Sequence, residues 1–255
     1  MAVLRTHVKL LKRVRLRSPV LIEGLPGLAL VGRLSVSYLV EALGAEKFAE
    51  LYSPHFPYYV IVDGDGHIRL PKGEFYYWRS DGRAPDLILM VGDSQAQTSE
   101  GQYEVATCVL EFAKKHGAKT VITVGGYRTE GGGHRVMCAS TSKELLNMAV
   151  SAGATVSPLG SPIVGIAGLL LGLASFTGMD AICLLGETRG HIPDPGAAKN
   201  VLRVLTSMLG LEVDLSGLDK SIEEAREIEE ALSGIELEEV LEWRPERGRG
   251  PEYIF

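Results

Sequence analysis

The sequence predicts a three-layer α/β/α domain around a mostly parallel central sheet, followed by a charged helical extension. Short strand-like runs recur at residues 20–23, 58–62, 87–91, 120–124 and 181–185, and several are apolar throughout, as strands buried on both faces are. Helix-length stretches fall between them at 28–43, 100–116, 142–151, 163–174 and 197–209. This alternation implies parallel strands joined by crossovers, with helices covering both faces of the sheet.

Near the start, the basic run at residues 9–17 alternates toward its end like an exposed edge strand. A membrane-surface patch is the other reading. The edge strand is favoured, because charge on an edge blocks unwanted pairing. The next apolar run breaks at Gly24-Leu25-Pro26-Gly27 and the chain then turns helical, which makes a first βα unit. Gly24 and Gly27 allow backbone angles closed to other residues, and Pro26 presets one dihedral. The spacing Gly24, Gly27, Gly32 is neither the dinucleotide fingerprint nor a Walker A loop, since no Lys-Ser or Lys-Thr follows the glycines.

Residues 63–84 carry an Asp-Gly turn and two β-rich aromatic runs, so a hairpin is inserted in the α/β order. Its Tyr76 and Trp78 either face a partner or cover the core, and the core is favoured. The run at 87–91 ends in Gly92-Asp93-Ser94, at the strand end where open α/β sheets place ligands. A serine esterase there would need a histidine oriented by a carboxylate, and the sequence has no Asp-x-x-His. Gly131-Gly132-Gly133-His134 reads equally as an anion-binding nest or as a flexible crossing. Gly165, Gly168 and Gly172 let another backbone approach the apolar helix around them, by default within the domain, alternatively across a subunit boundary. Glu187, His191 and Asp194 could together hold a divalent metal. The favoured alternative makes Asp194 an N-cap ahead of Pro195 at the first helical position.

Residues 218–241 form an acidic amphipathic segment with Ile222, Ala225, Ile228, Leu232, Ile235 and Val240 on one face, broken at Ser233-Gly234. The Arg/Pro/Gly-rich stretch from 244 to 252 cannot bury apolar surface, so a mobile tail is expected, ending in Tyr253-Ile254-Phe255. The expected division is an α/β/α domain at 1–217, a helical extension at 218–242 and a tail at 243–255. Three large apolar side chains beside a terminal carboxylate suit capture in a partner's groove. A tail folded back on its own domain is the alternative.

Composition narrows the function classes. The chain has 255 residues, enough for one sizeable domain, and its net charge of -6 offers no basic field for a nucleic acid. Cys108, Cys138 and Cys183 form no close pair, which fits neither a disulfide framework nor a zinc knuckle. Only two asparagines and three glutamines occur, the depletion of heat-labile amides seen in thermophile proteins. Neither a secretory leader nor an apolar stretch of membrane-spanning length is recognised, so a cytoplasmic protein without membrane contact is expected.

Several motifs occur in order: Gly24-Leu25-Pro26-Gly27, Val124-Gly125-Gly126-Tyr127, Ala139-Ser140-Thr141-Ser142-Lys143-Glu144, Gly160-Ser161-Pro162-Ile163-Val164-Gly165 and Leu185-Gly186-Glu187-Thr188 with Asp194-Pro195 beyond. On these the chain resembles the archaeal proteasome assembly chaperone family up to about residue 213. The resemblance implies a fold similar to the phosphorylase/hydrolase-like proteins and an ATP-independent chaperone or adaptor. It further implies proteasome core-particle α-subunits as partners, a homo-oligomer, no cofactor, no metal and no catalytic residues. Members of that family in archaea are similar to proteins that use C-terminal tails of the pattern hydrophobic, tyrosine, any residue. Here Tyr253 is third from the end and Ile254 stands where the tyrosine would be, a displacement of about 3.3 Å in an extended tail. The competing class is an enzyme, either nucleoside hydrolase or phosphorylase-like or an esterase at Ser94. It requires Asp93, Glu187, His191 and Asp194 to converge in one cleft.

Overall fold

The structure, a computed structural model, describes residues 5–64, 66–131 and 133–228. Four strands, β2 (Val20–Glu23), β7 (Leu87–Gly92), β8 (Thr120–Arg128) and β11 (Asp180–Thr188), form the parallel centre in the order β7-β2-β8-β11. Every residue of β2 and β7 is buried, which is why β7 and the first three residues of β2 are apolar without alternation. Antiparallel strands extend the sheet on one side: β6 (Gly73–Trp78), β3 (Glu46–Tyr52) and, at the edge, β1 (His7–Leu10). On the other side β9 (Val136–Ser140) runs antiparallel to β11, and β10 (Thr155–Val156) closes the sheet.

Helices α1 (Val31–Ala42), α3 (Lys143–Ser151) and α5 (Pro195–Leu209) cover one face, and α2 (Ser99–Lys115) and α4 (Ile166–Thr177) cover the other. Each face has its own apolar core. Leu39, Leu89, Ile122 and Leu202 lie in the first, and Phe48, Phe75, Ile88, Leu110 and Leu170 lie in the second. Phe75 and Phe112 stack with centroids 4.5 Å apart in the second core. The three-layer architecture with parallel central strands is therefore as the sequence predicts, with the antiparallel flanks as its addition.

Helix ends follow local chemistry. Thr98 caps α2 by accepting the Gly101 amide at 3.1 Å, and Asp194 caps α5 by accepting the Ala197 amide at 2.8 Å ahead of Pro195. Gly178 and Gly210 end α4 and α5 in the left-handed conformation. α1 starts three residues later than the apolar pattern suggests, because Ala29 and Leu30 have φ of 49° and 53°. A 3-10 turn, Leu28–Leu30, precedes it.

The aromatic segment divides. Ile61–Val62, which is β4, pairs with Ile68–Arg69, β5, in a separate two-stranded ladder, whereas Tyr76 and Trp78 lie on β6 within the main sheet and pack half-buried against the first core. Of the basic N-terminal run, only its first two residues belong to β1 at the sheet edge. Backbone at 218–228 is helical, and Leu218 is buried in the first core. The expected segment 229–242 and the tail 243–255 lie outside the described residues. Among the described residues, no helix is long and apolar enough to cross a membrane.

Candidate functional site

The four parallel strands deliver their carboxyl ends to one side of the molecule, where open α/β sheets form ligand crevices. The Gly24-Leu25-Pro26-Gly27 loop leaves β2 there. A Cβ on Gly24 would stand 2.3 Å from the carbonyl oxygen of Gly32, and a Cβ on Gly32 would stand 2.3 Å from that of Val124. Both glycines therefore let the loop, α1 and β8 meet backbone to backbone. Gln95 holds the loop from outside: its Nε2 donates to the Pro26 carbonyl at 2.7 Å, and its Oε1 accepts the Ile166 amide at the start of α4 at 3.1 Å. Gln102 Nε2 donates to Gln95 Oε1 at 3.2 Å and to the Ala96 carbonyl at 2.7 Å.

These elements enclose a cleft of about 680 Å³. Leu25, Leu28, Val124, Ile163 and Leu185 make its walls apolar, and Glu23 and Gln102 are polar members of the lining. Glu23 is 1% exposed. Its Oε1 accepts the Leu25 amide at 2.7 Å, while Oε2 has no hydrogen-bonding partner among the described residues. Burial pushes this carboxyl up to about 8, against the pull of the Leu25 amide, so Glu23 is largely a neutral acid at pH about 7. Gln102 Oε1 is buried and unpartnered as well. Sequence reasoning missed Glu23, Gln95 and Gln102. A glutamate ending an apolar strand carries no signal of burial, and two glutamines in a loop and helix carry none of pairing.

The four residues that an enzyme would need do not all meet: His191 and Asp194 line one hollow together with His134, while Asp93 lines another. Asp93 is gripped by Arg69 through bonds of 2.5 and 3.0 Å and accepts the Lys72 amide at 3.0 Å. The Ser94 hydroxyl donates to the Gln95 carbonyl at 3.1 Å rather than to a histidine. Glu187 is 3% exposed and is paired with Arg135 at 2.7 and 2.9 Å. A Cβ on Gly133 would fall 1.9 Å from Glu187 Oε2, so the glycine-rich crossing wraps the chain's own carboxylate. Asp194 is occupied as the α5 cap, and His191 is exposed in the loop before it. Three strand steps separate β7 from β11, which puts Asp93 about 14 Å from Glu187 across the sheet. No group of three or more His, Cys, Asp or Glu among the described residues could hold a metal ion.

α4 has no charged residue in its twelve, and its two hydroxyl side chains, Ser175 and Thr177, donate to the helix's own carbonyls. Ile166, Leu170 and Ala174 face the core, yet on the other side Phe176 is 87% exposed and Val164, just ahead of the helix, is 84% exposed. Gly168 lies against the Ile163 carbonyl, and Gly172 opens outward with no atom within 4 Å of its would-be Cβ. The glycine pattern thus serves internal packing at Gly168 and leaves Gly172 on an open apolar face. Tyr253, Ile254 and Phe255 lie outside the described residues.

Known proteins share this architecture. Pyrococcus furiosus PbaB, described as an archaeal proteasome activator, superposes with a TM-score of 0.85 at 41% identity, covering 90% of this chain and 99% of its own. Pyrococcus furiosus PbaA, described as an archaeal homolog of proteasome-assembly chaperone, superposes with a TM-score of 0.71 at 29% identity, covering 89% and 94%. The uncharacterized protein MJ1210 of Methanocaldococcus jannaschii is 37% identical over 228 residues, which is 88% of this chain and 86% of that protein. A model of the PAC2 family matches residues 21–235, and the chain belongs to the PAC2 family.

Proposed function

We propose that this protein is an ATP-independent chaperone or adaptor of the cytoplasm that binds proteasome core-particle α-subunits and aids their assembly or activation. The observation that carries the reading is the likeness, along 90% of the chain, to a protein described as an archaeal proteasome activator. Two features of the molecule support contact rather than catalysis. Asp93, Glu187 and Asp194 are each spent on a structural partner, and an acid–base mechanism needs such groups free and within reach of one another. The outer face of α4 also keeps an uncharged helix partly in water, which suits a subunit interface and hence a homo-oligomer. The α/β/α domain of 1–217 is the body, 218–242 its helical extension, and Tyr253, Ile254 and Phe255 at the end of the tail are the docking element.

Capture of α-subunits from the same organism by the intact chain, and by a version lacking Tyr253, Ile254 and Phe255, tests this. Capture by the intact chain alone is expected. Equal capture by both defeats the docking element, and capture by neither defeats the function.

A further inference from the structure

We propose that the cleft between the Gly24–Gly27 loop and the start of α4 is a binding site for a small uncharged molecule. Its ligand has an apolar body and one polar end that both accepts and donates a hydrogen bond, as a carboxamide does. The proposal is independent of the proteasome reading.

Glu23 and Gln102 set the polar end. A buried polar atom without a partner costs about 1–3 kcal/mol, and two residues of the lining each carry one, Glu23 at Oε2 and Gln102 at Oε1, with Thr123 Oγ1 a further such atom on the strand beside Glu23. Since Oε1 of Glu23 accepts the Leu25 amide, the proton of the neutral acid belongs on Oε2, which becomes a donor. Gln102 spends both protons of its amide nitrogen on Gln95 and Ala96, so its oxygen is an acceptor only. One donor and one acceptor together match a group with a carbonyl and an N–H. The walls set the body: Leu25, Leu28, Val124, Ile163 and Leu185 surround it, and about 680 Å³ lies within the range typical of small-molecule sites.

Charge on the ligand is selected against by what faces Glu23 from each packed element. On β8 the neighbour in register is Thr123, and on β11 it is Cys183, a thiol that burial pushes up to about 12. On β7 it is Met90. α2 contributes Gln102 and α4 Ala167, and the ionisable groups lining the same cleft are Tyr127 and Arg128, near the carboxyl end of β8. Arg128 is not among the groups that act on Glu23, so no cation holds this acid ionised, and an anionic group seated against Glu23 would be desolvated there without a counter-charge.

Three probes of one shape test this on the full chain: cyclohexanecarboxamide, cyclohexanecarboxylate and cyclohexylmethylammonium, titrated at neutral pH and followed by methyl NMR. The carboxamide is expected to shift the methyls of Leu25, Val124, Ile163 and Leu185 and to bind about tenfold or more tighter than either charged probe. Glu23→Gln, which keeps a donor and an acceptor, retains that affinity. Glu23→Leu loses it about tenfold, the unchanged remainder of the methyl spectrum showing that the fold is intact. In the native chain the affinity falls as pH rises through about 8, whereas in Glu23→Gln it stays level. Carboxamide binding no tighter than that of the charged probes overturns the proposal. So does unaltered binding in Glu23→Leu, or shifts confined to methyls outside the cleft.

Discussion

Exchanging Glu23 for glutamine should remove a pH dependence of stability that this one side chain creates. In the folded chain burial raises its carboxyl from the ordinary 4.5 to about 8. Below both values each state carries the proton and the group contributes nothing to the pH slope. Between them the unfolded chain releases its proton while the folded chain keeps it, so unfolding gains free energy and stability falls as pH rises. Each pH unit in that window is worth about 1.4 kcal/mol. Across the window from 4.5 to about 8 the loss sums to about 5 kcal/mol. Against a total of about 5–15 kcal/mol for a typical domain, this is large. Glu23→Gln has the same shape and the same acceptor for the Leu25 amide but no titration. Guanidinium unfolding of both chains at intervals from pH about 5 to about 9 gives the difference directly. The variant's advantage should grow with pH through the window and then level. A difference that stays constant with pH refutes the buried neutral acid.

Four further outcomes follow from the geometry. Gly32→Ala forces a Cβ to within 2.3 Å of the Val124 carbonyl, a backbone atom that cannot swing away, so chemical denaturation should show a loss of about 3 kcal/mol or more. Asp194→Ala removes the α5 cap and should cost about 1 kcal/mol in the same assay. Leu170→Ala on the buried side of α4 should cost about 3 kcal/mol. Phe176→Asp on its exposed side should change unfolding by less than about 0.5 kcal/mol, while the proposed homo-oligomer, read by light scattering, should fall to single chains.

What the sequence disclosed is what burial imposes on whole segments. β2 and β7 are buried along their full length, so β7, and β2 up to its closing Glu23, read as continuous apolar runs. The Asp194-Pro195 cap is a local signal, complete within a few residues. β3 went unread because Glu46 and Lys47 begin it in water and Glu50, although buried, is ion-paired with Lys72; charge interrupts the apolar pattern wherever a partner from another strand satisfies it. The apolar pattern places the start of α1 three residues early because left-handed Ala29 and Leu30 belong to no residue preference. They persist in a turn tied by the Asp194 amide to the Ala29 carbonyl at 2.9 Å, a contact from far along the chain. The cleft depends on the same kind of distant pairing. Glu23, Gln95 and Gln102 acquire meaning only when β2, the loop after β7 and α2 are brought together.

Whether this protein works by holding other proteins can be read from the mass of its mixture with purified core-particle α-subunits, measured by light scattering coupled to size exclusion. A peak containing both proteins and heavier than either alone is expected. Two peaks at the masses of the separate components would contradict it.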